Sequence, residues 1–125
     1  MSTYIQPKPS QLALMKNLPI DKAVVMINLL KFKERTEDGK TTGQERYLEY
    51  SQKVIPFLKE SGAEIIFMSK SFSTLIGPEA ENWDHVALVK YPNIGSFFNM
   101  IQSKDYSHAL RSSALEDSKL IPCVQ

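Results

Sequence analysis

The sequence predicts an α+β fold of the ferredoxin-like kind, βαββαβ, an antiparallel sheet with its helices on one face. Three observations lead there. Runs rich in Val, Ile and Leu alternate with stretches of helical apolar spacing in the order strand, helix, strand, strand, helices, strand. The second and third strands are separated only by a polar connection, so they pair as antiparallel neighbours. Right-handed crossovers then carry the helices to the same side of the sheet.

The chain is organised around residues 83–92, WDHVALVKYP, a central strand that runs straight into the helix-like NIGSFFNMIQSKDY. Before it, residues 1–9 hold Pro7 and Pro9 and read as an extended arm. A short helix follows, with Ser10 as its N-cap and Leu12, Leu14, Met15 and Leu18 as a loose apolar stripe closed by Pro19. Residues 23–33, AVVMINLLKFK, form the first strand, bounded by Asp21 and by the polar run ERTEDGKTTG. Within that run Asp38-Gly39 favours a tight, solvated turn.

Residues 44–61 carry Tyr47, Tyr50 or Ser51, Val54 and Leu58 at helical spacing, with Leu48 and Ile55 beside them, and Gly62 supplies the stop. Pro56 falls inside this helix and predicts a bend, since it donates no hydrogen bond and its ring meets the carbonyl one turn earlier. Residues 63–77, AEIIFMSKSFSTLIG, read as a long second strand ended by Gly77-Pro78, and residues 83–91 as the third. A helix from Asn93 or Ser96 to about Ser103 buries Phe97, Met100 and Ile101. A second helical piece, residues 106–115, places Tyr106, Ala109, Leu110 and Ala114 on one side. The last strand spans residues 119–124, and Pro122 assigns it to an edge or to an irregular pairing.

The first strand is apolar on both sides: Val24, Met26 and Leu30 share one face with Asn28, and Val25, Ile27 and Leu29 share the other. Helices cover one face only. The other would be a large bare apolar patch, so the pattern predicts that a second sheet packs on it, making a homodimer.

Composition narrows the partners. The 125 residues, 42% of them hydrophobic, suit one domain over residues 1–125, with residues 1–20 as its arm and short helix. Fifteen Lys plus Arg against 14 Asp plus Glu leave a net charge of +1, too little field to attract nucleic acid or an anionic membrane. Cys123 is the only cysteine, which rules out an internal disulfide and suits a reducing compartment. The opening MSTYIQPKPS lacks basic and apolar leader regions, and no apolar run reaches the roughly 20 residues of a membrane span, so the expected location is the cytoplasm.

Four blocks carry a resemblance: VVMINLLKFK, PFLKESGAE, GPEAENWDHVALVKYPNIGSFFNM and YSHALRSSALEDSKLI. In this order, over about residues 23–121, they resemble a family of small bacterial proteins of unassigned function in the dimeric α+β barrel superfamily. That superfamily includes cofactor-free antibiotic-biosynthesis monooxygenases, muconolactone isomerases, haem-binding chlorite dismutases and stress-responsive barrels. The resemblance implies a dimeric α+β barrel with a ligand cavity between the sheet and helices of each subunit; a shared scaffold does not fix the chemistry.

Five residues are candidates for that cavity. Asn28 interrupts an apolar strand and needs hydrogen-bond partners, either as a core amide tying down a helix or as a ligand contact. Tyr50, with Tyr47, is a core aromatic or a phenol that orients a ligand or passes a proton. Trp83 anchors the start of its strand or faces the ligand. His108 and Arg111, three apart on a helix, emerge on one side. They form a solvated flank, with Arg111 paired to Asp117 or Glu116, or a site in which Arg111 grips a carboxylate or enolate and His108 acts as acid or base. Arg111 also occupies the arginine position of the resembling block.

Other chemistries lack their residues. His85 and His108 are the only histidines, with no HExxH or CxxC, so no metal is expected. One candidate axial histidine gives haem little support. GxGxxG, P-loop and GxSxG patterns are missing, and Cys123 reads as a packing residue. The expected function is a small-molecule pocket without a cofactor. It either serves isomerisation or monooxygenation of a small organic acid or ketone, or belongs to a non-catalytic ligand-binding or stress-associated homodimer.

Overall fold

The computed structural model describes residues 4–103 and 106–125; the first three residues of the expected arm lie outside that range. The central strand β1 (Val24–Phe32) pairs antiparallel with β3 (His85–Tyr91) and β4 (Leu115–Val124), and β2 (Glu64–Lys70) flanks β3. The resulting order β2-β3-β1-β4 is that of an antiparallel ferredoxin-like sheet. Helices α2 (Gly43–Ser61), α3 (Ile94–Ile101) and α4 (His108–Ala114) lie on one side, and a short α1 (Pro9–Leu14) precedes the sheet.

The alternation along β1 decides which face is covered. Val24, Met26 and Leu30 are 0–2% exposed and meet Tyr91, Val89 and His85 across β3. With Leu58, Ile94 and Met100 from the helices, Val24, Met26, Val89 and Tyr91 make the core. Val25, Ile27 and Leu29 point the other way, together with Val86 and Leu88 of β3 and Ile121 of β4, and no described helix covers them.

Caps fix the helices. Thr42 Oγ1 accepts from the Glu45 backbone N–H at 3.1 Å and donates to the Glu45 carboxylate at 2.9 Å, starting α2; Gly62, at φ 77°, ends it. Asn93 caps α3 by accepting from Ser96 N at 2.8 Å. The start of α2 is stitched to two other elements, since Gly43 N donates to Lys33 O (2.8 Å) and Lys33 N to Ala114 O (3.0 Å).

Several boundaries differ from the sequence expectation. Helix α1 begins at Pro9, capped by Lys8 and not by Ser10, because the fixed φ and missing N–H of proline suit the first helical position. Helix α2 continues through Pro56, as its apolar spacing predicts, held on both sides of the proline by Tyr50, Val54, Phe57 and Leu58. Leu48 and Ile55 are exposed, outside its apolar face.

Strand β2 stops at Lys70, where its partner β3 begins at His85; the last bond of the ladder is Ser71 N to Asp84 O at 3.1 Å. Residues 71–84, Trp83 included, form the connection. It folds on itself through Thr74 Oγ1 to Glu81 O (2.5 Å) and Asn82 Nδ2 to Glu79 O (3.0 Å). Strand β4 starts four residues earlier than expected, at Leu115, directly after α4. It lies at the sheet edge, as Pro122 requires.

Candidate functional site

Tyr47 and Tyr50 stand one helical turn apart on the inner face of α2, and α4 packs beside that helix. Tyr106, just before α4, brings a third phenol to the same place. Its hydroxyl is hydrogen-bonded to that of Tyr50, and its ring meets Tyr50 and Phe57 edge-on at 6.0 Å. Tyr47 continues the series, 5.2 Å from Tyr50 and 5.4 Å from Phe32 of β1.

Arg111 of α4 reaches the Tyr47 phenol and is half-buried. Its Nη1 donates to Ile5 O at 3.5 Å, and it makes no ion pair among the described residues. The expected salt bridges to Asp117 or Glu116 do not form. Asp117 Oδ1 instead accepts from Tyr4 N and Ser118 N, both at 2.8 Å, and Glu116 is exposed. The arm segment around residues 4–6 thus straps over α4 and β4, helped by Gln6 Nε2 to Ser112 Oγ at 2.7 Å.

Burial sets the protonation of the phenols. It pushes the pKa of Tyr47, Tyr50, Tyr91 and Tyr106 up, while the nearby Arg111 charge pulls each the other way and is outweighed. At neutral pH they are hydrogen-bonding neutral groups. Because the folded-state values lie above the unfolded value of 10.0, this contribution to stability is complete below that value and is lost as pH rises through the folded values. Urea midpoints are therefore expected to fall steeply from about pH 8 to about pH 11, and less steeply in Tyr50→Phe. Equal midpoints at the two pH values would contradict the buried cluster.

The other candidates are placed as follows. Asn28 lies on the helix-facing side of β1, half-buried; its Nδ2 donates to Ala87 O (3.3 Å) and Met26 O (3.4 Å), and its Oδ1 accepts nothing among the described residues. It ties strands together, not a helix. His108 is exposed, and its Nε2 meets Ile101 O at 2.5 Å with the ring edge-on to Tyr106 at 4.5 Å. Since a carbonyl only accepts, Nε2 carries the proton. Trp83 is apart from the cluster. Lys119 stands 5.6 Å from its ring, and Lys119 faces outward with Leu29, on the side away from the helices.

The structure thus brings Tyr50 and Arg111 together, sets His108 at the margin beside Tyr106, puts Asn28 on the same side of the sheet, and leaves Trp83 elsewhere. Tyr106 was not singled out by the sequence reading. Its arrival has no signal in local spacing: that four of the five tyrosines, all but Tyr4, converge between sheet and helices is visible only in the structure. Ring-to-ring contacts hold the cluster together. Open clefts flank it, one of about 490 Å³ at the end of β1 and one of about 280 Å³ between α2 and α3.

Comparison with known proteins gives a family and a fold. A family model described as "Domain of unknown function (DUF1330)" matches residues 37–120. The structure is similar to that of RPA0582, a protein of unknown function from Rhodopseudomonas palustris, with a TM-score of 0.90 and 31% identity over 99% of this chain and 98% of that one. It is equally similar to the methylated form of RPA0582, with a TM-score of 0.90 and 32% identity over 100% and 96% of the two chains. A hydroxynitrile lyase from Passiflora edulis shares the fold only, with a TM-score of 0.51 and 15% identity over 84% of this chain and 94% of that one. None of the curated proteins matches at a significant level.

Proposed function

The chain belongs to DUF1330, a family of domains of unknown function, and on that premise we propose that it is a homodimer binding a small, partly apolar organic acid or ketone between the sheet and helices of each subunit. The observation that carries this reading is Arg111, a half-buried guanidinium with no carboxylate partner among the described residues, set beside phenols that burial keeps neutral. A carboxylate or enolate oxygen supplies the missing charge, and the guanidinium fork grips it with two parallel hydrogen bonds. Tyr47 and Tyr50 offer O–H donors and apolar ring area, and the open Oδ1 of Asn28 accepts from a ligand hydroxyl. Trp83 lies apart from this group.

The dimer is supported by two apolar surfaces that no described helix covers. The outer sheet face presents Val25, Ile27, Leu29, Val86, Leu88 and Ile121, and in the β2–β3 connection Phe72, Leu75 and Ile76 are 91–95% exposed. A second copy related by a twofold axis covers the first surface with its own and gives the connection a partner to lie against. The exposed, unpaired Cys123 fits a reducing cytoplasm, and no described helix is long and apolar enough to cross a membrane.

The catalytic form of this reading is cofactor-free isomerisation or oxygenation, with Arg111 holding the enolate and His108 moving a proton. The non-catalytic form, a ligand-binding or stress-associated dimer, is favoured by the engagement of His108 with the Ile101 carbonyl. Native mass spectrometry and calorimetric titration with benzoate test the common part. The expected result is a dimer taking one benzoate per subunit, with affinity at least about tenfold weaker in Arg111→Gln, as for loss of a charge-assisted hydrogen bond. Unchanged affinity in that variant would remove the central claim.

A further inference from the structure

The cleft of about 490 Å³ at the end of β1 lies on the helix side of the sheet, between the end of β1, the start of α2 and the strand ends at Lys70 and His85. We propose that it is a second ligand site, one that takes a small planar phenol or enol and in which His85 accepts the hydroxyl proton. The proposal does not rest on the Arg111 reading.

Three features make the case. His85 is half-buried and makes no side-chain hydrogen bond among the described residues, yet it lines the cleft. Its neighbours supply matching chemistry: the Phe32 ring, 6.1 Å away, forms an apolar wall for a planar molecule, and Lys70 is the cross-strand partner of His85 on the same face of the sheet. The Asp84 carboxylate in the lining is already engaged, since Asp84 Oδ2 accepts from Phe32 N at 2.8 Å while Asp84 N donates to Leu30 O at 2.8 Å. The remaining charged groups in the lining are Lys33 and Glu34, and the start of α2 adds only uncharged Gln44 and its cap, Thr42.

Burial lowers the pKa of His85, so at neutral pH the imidazole is uncharged with one free lone pair, and a proton taken there is held by the opposite charge of the oxyanion formed beside it. A phenol or enol O–H bond breaks, its proton forms an N–H bond on His85, and the electron pair stays on oxygen as an oxyanion beside the Lys70 ammonium. Charge and atoms balance without any co-reactant. A carboxylic acid, already ionised, gains nothing from the imidazole, and this distinguishes the ligand class from that of the Arg111 site.

The probe is 4-nitrophenol, whose absorbance reports its ionisation, titrated into the whole protein near neutral pH. Saturable binding with an increased phenolate fraction is expected. His85→Gln should keep the fold and lose the phenolate signal, Lys70→Met should weaken binding at least about tenfold, and Arg111→Gln should leave both intact. Absence of saturable binding at millimolar probe overturns the proposal. So does binding unchanged in His85→Gln and Lys70→Met, or lost only in Arg111→Gln, which would place the probe at the other site. Thermal melts of each variant separate loss of binding from loss of fold.

Discussion

Gly43→Ala is expected to destabilise the protein by about 3 kcal/mol or more, a large effect for one methyl group. A Cβ at this position would lie 2.4 Å from Lys33 O, 2.5 Å from Ala114 O and 2.5 Å from Lys33 N, distances that real Cβ atoms do not adopt. All three are backbone atoms, so no rotamer change relieves the clash. The backbone has to separate, and with it go the hydrogen bonds Gly43 N to Lys33 O and Lys33 N to Ala114 O. Gly39→Ala provides the contrast: Gly39 has φ 70° but nothing within 4 Å, so the cost there is only about 1 kcal/mol of backbone strain. Urea unfolding of both variants checks the ranking. Equal small losses would mean that the three-element junction yields without cost.

The junction matters for the site as well. Tyr47 lies one turn along α2 from Gly43, and Arg111 one turn before Ala114 on α4. Both hang from the same hydrogen-bonded node, so Gly43→Ala should weaken benzoate binding even under conditions where the variant remains folded.

Ile27→Lys is expected to convert the proposed dimer to monomer. Ile27 sits in the middle strand of the outer face, opposite Leu88 of β3 and Ile121 of β4. Twofold symmetry brings two such ammonium groups into one interface, each losing hydration without a counter-charge, at a cost of several kcal/mol. A dissociation constant raised by more than about a thousandfold follows. Sedimentation at micromolar protein reads it directly, and a variant that remains dimeric would place the interface elsewhere. The substitution faces away from Tyr47, Tyr50 and Arg111, so the monomer should keep its fold.

How much of this the sequence disclosed depends on the range of the interactions involved. The two-sided character of β1 follows from local alternation, which VVMINLLKF carries within itself. The end of β2 does not: residues 71–77 look as strand-like as 64–70, and what stops the strand is that β3 begins at His85 and leaves no further partner. The continuity of α2 through Pro56, by contrast, is legible in the apolar spacing of residues 44–61, and side chains packed on both sides of the proline supply it. Within the site, the spacing of Tyr47 and Tyr50 was readable on one helix, whereas the arrival of Tyr106 depends on how α4 docks. Gly43 read as the end of a loop because nothing local reveals that two other backbones cross at its Cα.

The claim on which the functional account turns is that Arg111 is an anion anchor. Its most direct test is the Nε–Hε resonance of Arg111 in nitrogen-15 NMR, assigned by comparison with Arg111→Gln and followed during benzoate titration. The account predicts a saturable shift of that one resonance together with slowed exchange of its proton, as the fork closes on the carboxylate. A resonance that stays unmoved while benzoate binds, or the same small drift at every arginine, would contradict it.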